Sequence, residues 1–166
     1  MVTDLKNKSF MKSVYHALCG FVNALRRERN LRVHVCIGNL ICYFAYFFKI
    51  SRTEWAILLT VIGIVITAEL LNSAVEKAVD TATHEIRTDA MHAKDFAAAA
   101  TLVSALFAVF TGIALFGDIG KIISALKGIF TSWKALCVLF VILIIDLGIL
   151  SVNLIKNGGK YEKSRI

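Results

Sequence analysis

Five polar side chains share one face of a single apolar run. In E-L-L-N-S-A-V-E-K-A-V-D, residues 69–80, Glu69, Asn72, Ser73, Glu76 and Asp80 fall at i, i+3, i+4, i+7 and i+11. Those offsets stack on one side of an α-helix, while Leu70, Leu71, Ala74, Val75 and Ala78 make up the apolar remainder. A charged residue at mid-bilayer costs about 2.5–3.5 kcal/mol even on the lenient insertion scale. Several on one face must therefore meet cations, a metal or each other. A helix end emerging into water accounts for Glu76, Lys77 and Asp80 as solvated charges. It does not account for Glu69, which lies two turns, or roughly 10 Å, deeper than Glu76.

Two further clusters have the chemistry to face this stripe. In R-R-E-R-N-L-R-V-H, residues 26–34, Glu28 is the lone acid among Arg26, Arg27, Arg29 and Arg32. In A-K-D, residues 93–95, Lys94 and Asp95 open another apolar run. Glu28, Glu76, Asp80 and Asp95 supply hard oxygen ligands, and Lys94 with the arginines balances phosphate charge. Mg²⁺ usually takes one or two carboxylates together with substrate phosphate oxygens, so the set points to a nucleotide–Mg²⁺ complex at a membrane surface. The phosphate-binding signatures G-x-x-x-x-G-K-[ST], G-x-G-x-x-G and H-R-D are absent. Gly117, Gly120 and Lys121 echo a phosphate loop at the wrong spacing. A kinase built on this chain is of another lineage.

The elements that must position these residues are long helices. Of 166 residues 57% are hydrophobic and none is proline, well above the roughly 45–50% apolar share of a soluble domain. The expected architecture is all-α, an integral membrane bundle. An amphipathic surface helix at 8–30 carries Phe10, Met11, Val14, Tyr15, Leu18, Phe21, Val22 and Leu25 on one stripe. Spans follow at about 33–50, 55–80 and 95–117, making a core over 1–117. An extension at 118–166 adds an interfacial segment and a fourth span at 135–155, whose single charge is Asp146. The N-terminus lacks an apolar core before a small-residue cleavage site, which argues against a cleavable signal. Cys19, Cys36, Cys42 and Cys137 form no C-x-x-C pair and read as apolar filler.

The net charge of +7 would suggest nucleic acid in a soluble protein. Here the basic residues flank apolar runs, which suits anionic headgroups instead, and no nucleic-acid partner is expected. Lys6, Lys8, Lys12, Arg26, Arg27, Arg29 and Arg32 precede the first span, and Lys156, Lys160, Lys163 and Arg165 follow the last. With four spans, both termini and the 81–94 loop are expected in the cytoplasm, and so is the site.

At these residues the chain resembles the prokaryotic diacylglycerol kinase / undecaprenol kinase family, with an extra C-terminal transmembrane helix. The likeness runs from about Phe10 to Gly117. E-L-L-N-S-A-V-E-K-A-V-D fits the family signature at every fixed position, and K-S-x-x-H-A at 12–17, Gly20, R-x-E-R-N at 26–30 and A-K-D fall at compatible separations. R-x-E-R-N with His34 is similar to the Gram-positive branch, whose preferred lipid is undecaprenol. The resemblance implies a homotrimer in a bacterial inner membrane, with active sites shared between subunits, phosphorylating a lipid alcohol with ATP and Mg²⁺. It implies Glu69 as general base beside the lipid hydroxyl, and Glu28 and Glu76 as Mg²⁺ ligands that also meet ATP. Asn72, Asp80, Lys94 and Asp95 would position ATP, with Glu85, Arg87 and His16 near the nucleotide. Lys12, Arg32 and Ala98 would lie towards the lipid. The loop at 83–92 follows neither branch closely, Ala98 stands where the diacylglycerol branch has a hydroxyl, and residues 118–166 have no counterpart.

A different class competes. A small membrane transporter or channel subunit could use the carboxylates to carry protons or cations. That accounts for Glu69 and Asp146, but not for Glu28, Lys94 and Asp95 gathered at one side of the membrane.

Overall fold

The computed structural model describes residues 2–82 and 87–163, with side chains described over 10–82 and 87–151. Six helices follow one another among them: α1 (Val2–Arg27), α2 (Arg29–Phe48), α3 (Arg52–Ala82), α4 (Thr88–Phe116), α5 (Ile119–Thr131) and α6 (Trp133–Lys163). The helices α2, α3 and α4, together with Trp133–Ser151 of α6, are long and apolar enough to cross a membrane. The protein is an all-α membrane bundle, in which α1 and the short α5 are not among the helices that meet that length and apolarity.

The helix ends differ from the expected boundaries for identifiable reasons. The first helix stops at Arg27 rather than 30, and α2 begins at Arg29 rather than 33. Glu28 alone separates them, in extended backbone at φ −98° and ψ 114°. Its N–H donates to Ala24 O at 2.8 Å, so the chain turns without losing its helical hydrogen bond. Arg32 is buried, and its guanidinium donates to Leu25 O at 3.0 Å and Arg26 O at 3.3 Å. Those are terminal carbonyls of α1, left without intrahelical partners, and a cation is favourable at that end of the helix dipole.

At the far end of α2, Lys49 adopts the left-handed conformation (φ 58°, ψ 49°). The N–H groups of Lys49 and Ile50 return to Tyr46 O and Ala45 O, the Schellman closure of a helix C-terminus. Ser51 then opens α3 reciprocally: its Oγ accepts from Glu54 N at 3.3 Å, and its own N–H donates to Glu54 Oε2 at 2.6 Å. This S-x-x-E capping box satisfies two orphan donors. Asp118 caps α5, accepting from Lys121 N at 3.0 Å.

The second helix is the hub, packing on α1, α3, α5 and α6, while α3 and α4 run against each other as an antiparallel pair. At the Phe48 end, Ala45, Phe48, Leu58 and Ala125 are buried together. Phe116 meets Phe48 edge-on at 5.1 Å and 85°, and Phe44 at 5.5 Å and 64°. Within lipid there is little hydrophobic drive between helices, so close approach and interhelical hydrogen bonds hold them. Gly38 supplies the approach: a Cβ there would stand 3.3 Å from Ile62 Cγ2. The extension supplies hydrogen bonds, with Tyr43 Oη donating to Ala135 O at 2.8 Å and Asn39 Nδ2 donating to Asp146 Oδ1 at 2.8 Å. Residue numbers fall along α6 as they rise along α2, so the two helices are antiparallel.

Candidate functional site

The stripe on α3 runs from the interior to the surface. Glu69 and Ser73 are buried, Asn72 and Glu76 are half-buried, and Asp80 is exposed. Side-chain exposure rises from 5% at Glu69 to 66% at Asp80. A carboxylate that deep needs a partner, and α2 provides it. His34 Nε2 stands 3.3 Å from Glu69 Oε1.

Among the described residues, one histidine–carboxylate contact and two ion pairs bind α3 to its neighbours at three heights. His34 of α2 meets Glu69, Lys77 meets Glu28 at the α1–α2 junction, and Lys94 of α4 meets Asp80. Along α3 the order is 69, 77, 80, and along α2 it is 34 and then 28, as antiparallel packing requires. Glu28 and Glu76 flank this line of contacts, Glu28 through Lys77 and Glu76 through Asn72.

Asn72 lies between the buried Glu69 and the exposed end of the stripe. Its Nδ2 donates to Glu76 Oε1 at 3.3 Å, which orients that carboxylate. Its Oδ1 is buried with no hydrogen-bond partner among the described residues. An amide oxygen left so is costly, and it is available to a donor arriving from outside the chain. Two turns beyond Glu69, an apolar cleft of about 280 Å³ opens between α2, α3 and α4, lined by Leu40, Phe44, Ile62, Gly112 and Phe116.

The remaining sequence candidates are placed less centrally. Lys12 and His16 lie exposed on α1, where His16 packs edge-on against Tyr15 at 5.7 Å. Arg32 is occupied in closing the end of α1. Arg87 stands in extended backbone just before α4 with no side-chain capping hydrogen bond, and Arg87, Asp95 and Ala98 are exposed. Glu85 lies outside the described residues. No group of three or more His, Cys, Asp or Glu forms a ready-made metal cage among the described residues.

Two residues of the cluster escaped the sequence reading. Lys77 read as a solvated charge, and His34 had no partner in view. The available signal was depth: His34 lies six residues beyond Glu28, and Glu69 eight before Lys77, so in antiparallel helices the two pairs fall at matching heights.

The family model for prokaryotic diacylglycerol kinase matches residues 15–116, more than half of the chain. The chain is similar to the undecaprenol kinase of Bacillus subtilis, 35% identical over 107 residues, covering 64% of this chain and 87% of that protein. It is also similar to the diacylglycerol kinase of Pseudomonas aeruginosa, 32% identical over 97 residues, covering 58% and 79%. No solved structure gives a significant match. The matched region takes in α2, α3, α4 and all three of these contacts, and stops before α5 and α6. The chain belongs to the prokaryotic diacylglycerol kinase family.

Proposed function

We propose that this lipid kinase transfers the γ-phosphate of ATP, with Mg²⁺, to the hydroxyl of a membrane lipid alcohol, undecaprenol before diacylglycerol. The observation that carries the reading is the graded stripe, with a buried carboxylate at its deep end and exposed charges at its surface end. It lets a lipid hydroxyl and a water-borne nucleotide meet on one helix face.

Phosphoryl transfer asks a protein mainly for positioning and charge neutralisation. Glu69 is the general base: it takes the hydroxyl proton as the lipid oxygen attacks the γ-phosphorus and the bond to ADP breaks. Asn72 offers its free Oδ1 to the arriving substrate and steadies Glu76. Lys94 and Asp95, where α4 meets the surface, position ATP with Asp80. Glu28 and Glu76 are the acids that would hold Mg²⁺, which when bound neutralises phosphate oxygens. The donor set fits: two carboxylates suffice for Mg²⁺ when phosphate oxygens complete the shell. Glu28 is already held by Lys77, so metal binding there exchanges one cation for another. The apolar cleft beyond Glu69 suits a hydrocarbon chain.

Undecaprenol takes first place on the similarity to the Bacillus subtilis enzyme and on R-x-E-R-N with His34. The basic flanks favour a cytoplasmic site. The wide apolar face of α4, with Phe107, Phe110 and Ile113 exposed, suits either lipid or neighbouring subunits of a homotrimer.

The test is an assay of purified protein with ATP, Mg²⁺ and each alcohol side by side. Lipid-dependent ATP consumption, faster with undecaprenol, is the expected result. Ion flux in liposomes without such consumption would establish the transporter reading in its place.

A further inference from the structure

We infer that His34 is a positioning residue for Glu69, holding one oxygen of the base so that the other faces the lipid hydroxyl. The inference rests on the kinase reading above and deepens it.

Glu69 is buried on α3, and the His34 imidazole across the α2–α3 interface places Nε2 3.3 Å from Oε1. The ring is the more exposed of the two side chains, 25% against 5% for Glu69. A free glutamate side chain has three torsions to settle, and a base that wanders by an ångström loses about 10²-fold in rate. Fixing one oxygen removes most of that freedom. The backbone that carries the ring is itself fixed, because Gly38, one turn along α2, brings that helix against Ile62 of α3. The other acids near Glu69 are no substitute: Glu76 is held by Asn72 and Glu28 by Lys77. Both are like-charged with Glu69 and push it away. His34 is the group that attracts it.

The experiment compares His34→Leu, His34→Gln, Glu69→Gln and the double variant His34→Leu/Glu69→Gln, in full-length protein with undecaprenol and Mg-ATP. A positioning role predicts that His34→Leu lowers kcat by about 10- to 100-fold, with KM for Mg-ATP within about twofold of wild type. The amide of Gln reaches the same oxygen, so His34→Gln recovers most of the loss. In the Glu69→Gln background, His34→Leu costs little more, because a residue acting through another is silent once that other is gone. Equal losses in both backgrounds, no recovery with Gln, or a weakened Mg-ATP KM would each overturn the role. Wild-type turnover with an inactive Glu69→Gln variant and an unimpaired His34→Leu variant would sink this inference alone. A Glu69→Gln variant at full rate would sink the base assignment on which the inference rests, and wild-type protein without lipid-dependent ATP consumption would sink the kinase reading itself.

Discussion

Asn39 on α2 and Asp146 on α6, more than a hundred residues apart in the chain, meet through a 2.8 Å hydrogen bond from the amide nitrogen to Oδ1. Asp146 is buried, and its Oδ2 has no hydrogen-bond partner among the described residues. Its main-chain oxygen also accepts from Cys36 Sγ at 3.7 Å. One residue of the extension thus contacts α2 at two points, on a helix that the family match does not include.

Asp146→Asn keeps an acceptor for Asn39 and should leave turnover close to wild type. Asp146→Leu removes the acceptor and should cost about 0.6 kcal/mol, the average for hydrogen bonds between membrane helices, and at most about 1.7 kcal/mol. Thermal unfolding and turnover, measured on the same preparations, check both. Loss of phosphorylation in a folded Asp146→Asn protein would place α6 in the active site.

Base and metal ligands should separate kinetically. Glu69→Gln should lower kcat by about 10²–10⁴-fold and leave Mg-ATP binding nearly unchanged. Glu76→Gln and Glu28→Gln should instead weaken Mg-ATP binding and steepen the Mg²⁺ requirement. Nucleotide affinity with and without Mg²⁺, beside turnover, is the measurement. The reverse pattern would exchange the roles.

Lys77 competes with Mg²⁺ for Glu28 if Glu28 is a metal ligand. Lys77→Met should lower the Mg²⁺ concentration for half-maximal activity, while stability changes by only about 0–1 kcal/mol, as for partly exposed ion pairs. An unchanged or raised Mg²⁺ requirement would argue that Glu28 does not meet the metal.

Gly38 sets the distance between α2 and α3. A Cβ at that position stands 3.3 Å from Ile62 Cγ2, so Gly38→Ala asks Ile62 to yield slightly, and Gly38→Leu wedges the helices apart. Overpacking of this kind costs about 1–3 kcal/mol. Gly38→Leu should also slow turnover, because His34 and Glu69 face each other one turn away. Unfolding midpoints and kcat across Gly, Ala and Leu should fall in that order.

The spans were legible because apolar runs of bilayer length leave little choice of structure. Their ends were less so. Arg32 looked like a charge that must stay outside the first span, yet it is buried because the carbonyls closing α1 satisfy it. The last helix runs to Lys163 rather than stopping near 155, since helical hydrogen bonding does not end where apolar residues do. Ser51 and Glu54 spell a capping box that the sequence does contain. The face of α3 was readable from the spacing of Glu69, Asn72, Glu76 and Asp80. Its partners were not, because periodicity tells which residues share a side of one helix and not which side of another helix meets them. Glu28 and Lys77 are forty-nine residues apart, and only packing brings them together.

The one-residue junction at Glu28 has a mechanical consequence. A helix lying along a membrane tilts and sinks as the lipids beneath it change, and a long linker would absorb that motion. Here α1 passes straight into α2, with Arg32 clasping the end of α1 and Lys77 clasping Glu28. There is no slack. Any tilt of α1 is therefore delivered directly to Glu28, with no flexible segment between the two helices to absorb it.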